Sequence, residues 1–86
     1  MKIEVSLFGA FRDLHPPARV ELDLPEAARV GDLRAALSAY GQAHWPAFRP
    51  ALLASSAFAS EQAVLREGDA LPGDGRVAVL PPVSGG

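Results

Sequence analysis

The residues best suited to chemistry in this sequence are Gly85 and Gly86, which close the chain. A terminal carboxylate is ionised at neutral pH and is then a poor electrophile, so an activating enzyme must first convert it into a mixed anhydride. Glycine suits such an enzyme because no side chain obstructs a narrow passage or a close backbone approach. The activated carbon can then accept sulfur. A chain without cysteine can therefore carry sulfur as a C-terminal thiocarboxylate, with Gly86 and Gly85 as the predicted catalytic residues.

Residues 81–86 have the composition of a stiff extended tail rather than of an unstructured end. Pro81 and Pro82 restrict the backbone to extended conformations, and Val83 is apolar where a flexible linker would be polar. Six residues reach about 20 Å at roughly 3.3 Å each, which is enough to enter another protein's active site. We therefore predict a folded domain over 1–80 and a working tail over 81–86. The tail residues predicted to contact a partner are Pro81, Pro82, Val83 and Ser84.

Other reactive residue types lack the spacing that their chemistry needs. His15 and His44 have no carboxylate or second histidine one helical turn away, so surface or capping roles are the better interpretation. Gly73-Asp74-Gly75 is followed by no third glycine and opens no helix, so it indicates a turn rather than a nucleotide loop. The sequence predicts no metal and no cofactor bound by this chain.

Composition restricts the classes of protein to which the chain can belong. An apolar fraction of 49% and a charged fraction of 21% over 86 residues are typical of one small globular domain. A net charge of −2 without a basic cluster argues against nucleic acid as a partner. No apolar run approaches the roughly 18 residues that span a bilayer, and Glu4 falls where a signal peptide would be apolar. We therefore expect a cytoplasmic protein that binds neither membrane nor nucleic acid.

The first half of the chain predicts a pair of strands followed by the main helix. Residues 2–7 and 19–24 alternate polar and apolar side chains, and a breaker at 15–17 separates them, so antiparallel neighbours are expected. A helical repeat of apolar residues then begins at Val30, and the helix should end near Gly41.

The middle of the chain predicts weaker elements. A second helical piece is expected over 46–53, although Pro50 should cut it short. Short strands are expected over 52–54, around Phe58 and over 61–65, each bounded by small or polar residues.

The last predicted strand, 76–80, supports the tail. It is apolar on both faces, which favours a central position in the sheet, and a parallel pairing with the first strand would place the helix in the crossover. The predicted fold class is α+β, a β-grasp arrangement in which one main helix packs on one face of a mixed sheet.

Four segments together resemble the small subunit of molybdopterin synthase. They are residues 3–14 (IEVSLFGAFRDL), 30–37 (VGDLRAAL), 65–69 (LREGD) and 77–86 (VAVLPPVSGG). The last segment, in which Pro-Pro precedes Gly-Gly by two residues, is the most specific. Two departures are visible, because 54–60 lacks an asparagine common in that family and 73–75 looks like a small insertion.

The resemblance implies a ubiquitin-like sulfur carrier whose Gly86 is adenylated by an E1-like enzyme that uses ATP and is then converted to a thiocarboxylate. The tail would insert into the large subunit of molybdopterin synthase and donate sulfur to cyclic pyranopterin monophosphate during molybdenum cofactor biosynthesis. The chain would thus be the sulfurtransferase subunit of a heterotetramer, with the catalytic pocket on the large subunit.

Two alternatives remain open at this point. One is a carrier for thiamine or another sulfur pathway, and the other is a ubiquitin-like protein modifier or binding module. In every case the tail must be ordered in a partner, at about 1 to 2 kcal/mol for each free residue. We therefore expect an apolar face of the sheet near the tail to dock a partner. Most aromatic residues are expected in the core and some in such a patch.

Overall fold

A computed structural model of the chain describes residues 1–15 and 17–82. The strands are β1 (Lys2–Leu7), β2 (Arg19–Asp23), β3 (Ala57–Ala59), β4 (Val64–Leu65) and β5 (Arg76–Leu80). The helices are a 3-10 helix (Gly9–Leu14), α1 (Val30–His44) and α2 (Pro50–Ala54). Among the helices in these ranges, none combines the length and the apolar character that crossing a membrane requires.

The strands form one mixed sheet in the order β2-β1-β5-β3-β4. β1 pairs antiparallel with β2 and parallel with β5, and β3 pairs antiparallel with both β5 and β4. The crossover from β1 to β5 contains α1. The central position of β5 and its parallel pairing with β1 are both confirmed, as is the α+β fold with one main helix on one face of the sheet.

The hydrophobic core lies between α1 and one face of the sheet. Alternate residues of each strand point into it because successive side chains of a strand lie on opposite faces. The sheet contributes Ile3, Val5, Leu7, Val20, Phe58, Val77 and Val79, and α1 contributes Val30, Leu33 and Leu37. All of them are buried, so this layer supplies the apolar burial that stabilises the domain.

α1 runs to His44, three residues beyond the predicted end at Gly41. Gly41 is an interior residue whose bare Cα is covered by Phe48, and a Cβ there would lie 2.7 Å from Phe48 Cδ1. The glycine therefore serves close packing rather than helix termination. The 3-10 helix was not predicted, since its residues were expected to form only a connection.

The second helical piece expected over 46–53 is present as α2, but Pro50 begins this helix instead of cutting it short, so the predicted start at 46 is wrong. A proline in the first turn loses nothing, because the N–H that it lacks would have no partner inside the helix. The strand predicted over 52–54 is also wrong, as these residues belong to α2. Of the strand predicted over 61–65, only Val64 and Leu65 pair with a neighbouring strand. The residues before them form a turn in which the Ser60 hydroxyl accepts hydrogen bonds of 3.2 Å from the N–H groups of Gln62 and Ala63.

The turn at 67–69 holds the start of α1. The carbonyl oxygens of Glu67 and Asp69 accept hydrogen bonds from the N–H groups of Gly31 and Val30, at 2.9 and 3.0 Å. The first N–H groups of a helix have no partner within it, so the turn satisfies them. The connection between β4 and β5 is thereby fixed to the helix.

Arg34 connects α1 to three other segments of the chain. Its guanidinium donates to the carbonyl oxygens of Leu53 and Ser56, at 2.6 and 2.7 Å, and to Glu67 Oε1 at 2.6 and 2.8 Å. It also lies 4.9 Å from the centre of the Phe58 ring. A single half-buried cation thus joins α1, the end of α2, β3 and the turn at 67–69.

Candidate functional site

The predicted tail begins at the carboxyl end of the central strand. The parallel pairing with β1 ends at Leu7 and Val79, and Pro81 cannot extend it because proline has no backbone N–H. Pro81 is half-buried and Pro82 is exposed, so the chain leaves the body of the domain at this point. The structure thus brings two predicted site residues together beside the sheet. The other four, Val83, Ser84, Gly85 and Gly86, lie outside the described residues.

Gly9 contacts Pro81 and was not singled out from the sequence. It has a backbone φ of 59°, and a Cβ built on it would lie 2.5 Å from Pro81 Cγ. The signal was present in the predicted parallel pairing, because once Leu7 lies opposite Val79, Gly9 must come beside Pro81. The register of two strands, rather than a local motif, therefore locates this residue.

The sheet has a second face, opposite α1, which we call the open face. On this face Ala78 pairs with Ser6 of β1 and with Ala59 of β3, and an apolar patch lies between this row of residues and the tail. The apolar patch consists of Phe8, Ala57, Ala59, Ala78 and Leu80. Phe8 is 47% exposed, which is unusual for a phenylalanine and places a large apolar side chain beside the tail. An apolar surface therefore lies near the base of the tail, and the expectation that a partner docks on it stays a prediction.

Charged residues occupy the open face farther from the tail. Glu4 pairs with Glu21 across β1 and β2 and lies opposite Arg76 on β5. Arg19 Nη1 lies 3.3 Å from Glu4 Oε1, and both side chains are substantially exposed. A shallow hollow of about 430 Å³ is lined by Glu4, Arg19 and Arg76 together with Phe8 and Ala78. The open face therefore changes from apolar at the tail to mixed charge at the other end, as protein interfaces do between centre and rim.

A second hollow lies at the base of the tail. It has a volume of about 680 Å³ and is bounded by the start of the 3-10 helix, by α2 and by the two prolines. Gly9 and Leu52 form part of its wall, and exposed Arg49 stands at its edge. The exit of the tail is thus flanked on one side by the apolar patch and on the other by a recess.

The histidines and the buried serine have structural partners. His15 follows the 3-10 helix as its C-cap, and its Nδ1 accepts a hydrogen bond of 3.2 Å from the indole N–H of Trp45. His44 lies in the last turn of α1. Ser56 is buried and its hydroxyl donates to the Leu52 carbonyl oxygen at 2.6 Å. Within residues 1–15 and 17–82 there is no cluster of three histidine, cysteine or acidic residues that could hold a metal ion.

Comparison with known proteins connects this arrangement to a family. A model of the ThiS family matches residues 5–86. The crystal structure of SAMP1 from Haloferax volcanii is similar over 100% of both chains, with a TM-score of 0.73 and 26% identity. A crystal structure of small archaeal modifier protein 1 from H. volcanii covers 95% of this chain and 98% of its own, with a TM-score of 0.68 and 24% identity, and supports the fold. No curated protein matches significantly. The chain therefore belongs to the ThiS family of sulfur carriers and has the β-grasp, ubiquitin-like fold.

Proposed function

We propose that this chain is the sulfur-carrier subunit of molybdopterin synthase and that sulfur is carried on the carboxyl carbon of Gly86. The observation that carries the proposal is the sequence of residues 81–86, whose first two residues, Pro81 and Pro82, follow the central strand beside the apolar patch. The family match extends through residue 86, so it includes this segment. The paired prolines favour molybdopterin over thiamine because they belong to the resemblance with the small synthase subunit.

The proposed chemistry takes place on the tail while other proteins provide the catalytic groups. A carboxylate oxygen of Gly86 attacks the α-phosphorus of ATP, and pyrophosphate leaves. A sulfide equivalent then attacks the carbonyl carbon of this adenylate, and AMP departs to leave a thiocarboxylate. In the large subunit the sulfur atom passes to cyclic pyranopterin monophosphate, and water restores the carboxylate. ATP is thus a substrate of the E1-like activating enzyme and is not a cofactor of this chain.

The apolar patch supports a docking step before each reaction. Ordering six tail residues would cost about 6 to 12 kcal/mol if all were free, and the prolines reduce this. Contacts made by the body must offset that free energy, and Phe8 and Leu80 lie where they can be buried together with the tail. We propose that the activating enzyme binds the patch first and that the large synthase subunit binds it afterwards. Two small and two large subunits would then form a cytoplasmic heterotetramer.

Intact-mass spectrometry after coexpression with a matching E1-like enzyme and a sulfur source tests the proposal. We expect a species in which one oxygen at Gly86 is replaced by sulfur, and no such species when Gly86 is deleted. The matched control is Val64→Ala, an exposed change at the far edge of the sheet that should load normally. Failure of the wild-type chain to acquire sulfur would exclude the carrier function.

Reconstitution separates molybdopterin from the nearest alternative. The sulfur-loaded chain should bind a large synthase subunit and convert cyclic pyranopterin monophosphate to molybdopterin. A loaded chain that does not bind that subunit but supports formation of the thiamine thiazole would assign it to the thiamine pathway instead.

A protein modifier is the second candidate, because the similar structures from H. volcanii include one described as a modifier protein. In that case the tail would become linked to lysine side chains of other proteins. Lys2 is the only lysine in the sequence and is the first residue of β1, at the end of the sheet where β5 begins and away from the tail. Isopeptide-linked conjugates that disappear when Gly86 is deleted would favour the modifier, whereas a thiocarboxylate without conjugates favours the carrier.

A further inference from the structure

Gly9 lies where β1 has just ended and the tail has just begun. The parallel register places Leu7 opposite Val79, so two residues farther along each chain Gly9 lies beside Pro81. A Cβ at position 9 would approach Pro81 Cγ to 2.5 Å and Cδ to 3.3 Å. Nonbonded carbon atoms prefer separations of about 3.5 to 4.0 Å. Only a glycine at this position leaves room for the proline ring.

The proline ring cannot turn away from an added side chain as a flexible side chain would. Its Cδ is bonded to the backbone nitrogen, so the ring and the backbone of Pro81 move together. Any side chain at Gly9 must therefore displace either its own loop or the peptide that leads from Leu80 into Pro82. The contact couples the loop after β1 to the direction in which the chain leaves β5.

We infer that Gly9 is a positioning residue for the tail, because its bare Cα seats the Pro81 ring and sets the direction in which the chain leaves the sheet. The inference rests on the proposed function, in which the tail must reach the α-phosphorus of ATP while the apolar patch is docked. The distance between the docked patch and the α-phosphorus is then fixed. The direction in which the chain leaves the sheet therefore controls whether the terminal carboxylate is aligned with that phosphorus for attack. A displacement of about 1 Å can lower a rate on the order of a hundredfold.

Gly75 provides a matched control at the other end of the same strand. Its φ is 71°, and a Cβ there would lie 2.7 Å from the Lys2 carbonyl oxygen. Like Gly9→Ala, Gly75→Ala places an alanine at a positive φ and creates a comparable clash. The clash at Gly75 lies where β5 begins, whereas the clash at Gly9 involves Pro81, where the chain leaves β5. Both variants lose stability, whereas only Gly9→Ala should alter the exit of the tail.

ATP–pyrophosphate exchange by the E1-like enzyme measures the effect at a temperature where circular dichroism shows every variant folded. For Gly9→Ala we expect kcat to fall about ten- to a hundredfold with little change in KM, because the apolar patch still docks. Gly75→Ala should stay within about twofold of wild type. Equal effects of the two substitutions, or normal exchange by Gly9→Ala, would overturn the inference.

A second substitution separates contact with Pro81 from strain at Gly9 itself. Pro81→Ala removes Cγ and Cδ and keeps Cβ, which would lie 3.8 Å from the new methyl group, an ordinary contact. If the two substitutions acted independently, their changes in activation free energy would add. The double variant Gly9→Ala, Pro81→Ala should have a higher kcat than that sum predicts. Strict additivity would assign the loss to backbone strain and contradict a positioning role.

Nuclear Overhauser effects test the contact without any enzyme. In the wild-type chain we expect cross-peaks between the Gly9 α-protons and the Pro81 ring protons, and their loss in Gly9→Ala. Their absence in a wild-type chain that is adenylated normally would overturn only the inference about Gly9. If the wild-type chain is not adenylated at all, the proposed function fails, and the inference fails with it.

Discussion

The two faces of β5 have similar residues but different surroundings. Val77 and Val79 point into the core, where they are 3% and 0% exposed. Ala78 and Leu80 alternate with them on the open face and stay partly exposed. In the part of the chain that the structure describes, α1 and α2 lie on the core side and no helix covers the open face. One strand thus separates the layer that stabilises the domain from the surface that we propose to dock a partner.

Apolar character alone does not distinguish a core from an interface. Both faces of β5 are apolar in sequence, and the distinction arises because the helical repeat of α1 covers only one of them. The smaller side chains on the open face leave a shallow surface on which Phe8 projects. Substitutions on the core face should therefore change the free energy of unfolding, and substitutions on the open face should change the affinity for a partner protein.

The largest expected loss of stability comes from Phe58→Ala. Phe58 is fully buried at the centre of the core face and packs under the Arg34 guanidinium. Removing a buried phenylalanine side chain costs about 3 to 5 kcal/mol, which is a large part of the roughly 5 to 15 kcal/mol that stabilises a small domain. Urea denaturation followed by circular dichroism should show the midpoint moving far down or the fold lost. Val64→Ala, at a 66% exposed position on the neighbouring strand, should change the free energy of unfolding by less than about 1 kcal/mol.

The outline of the fold could be predicted because hydrophobic periodicity is a local signal. The bounds of β1 follow from the alternation of polar and apolar residues, and those of β5 follow from a short apolar run between a turn and two prolines. Gly41 and Pro50 misled the prediction for a shared reason, since the meaning of each depends on what lies next to it in space. Gly41 is covered by Phe48 within a helix, and Pro50 begins one.

A smaller but still substantial loss is expected from Arg34→Met, which keeps the aliphatic stem and removes the guanidinium. The carbonyl oxygens of Leu53 and Ser56 would lose their side-chain donor, and Glu67 would lose its ion pair. We expect a loss of about 1 to 3 kcal/mol, because the Ser56 carbonyl oxygen is left without its donor, which costs about that much for a partly buried acceptor, whereas the Leu53 carbonyl oxygen keeps the Ser56 N–H. Urea denaturation of the purified variants measures this loss in the free energy of unfolding.

The control for Arg34→Met is Glu67→Gln, which leaves both carbonyl contacts in place. Glu67 is 59% exposed, and exposed ion pairs contribute about 0 to 1 kcal/mol. A loss in Glu67→Gln as large as that in Arg34→Met would mean that the ion pair, rather than the carbonyl contacts, holds these elements together.

The site was predictable only in part, because its residues come from distant parts of the chain. The prolines and glycines of 81–86 are contiguous and give a local signal, which the family match also covers. Gly9 and the apolar patch depend on the pairing of β5 with β1 and with β3. The paired residues of these strands are at least 19 positions apart in the sequence, as for Ala59 and Ala78 (78 − 59 = 19). Each strand could be predicted alone, but the surface exists only once the register is known.

The smallest effect on stability and the clearest effect on binding are expected from Phe8→Ala. Phe8 is 47% exposed on the open face, so the free energy of unfolding should fall by less than about 1 kcal/mol. Aromatic residues near the centre of an interface can contribute 2 kcal/mol or more, so the dissociation constant for the large synthase subunit should rise at least about tenfold. Isothermal titration calorimetry measures this, with Val64→Ala as the exposed apolar change outside the apolar patch. A docking surface must affect binding without holding the domain together. Unchanged affinity in Phe8→Ala, or a loss of stability as large as that of Phe58→Ala, would therefore contradict the distinction between the two faces.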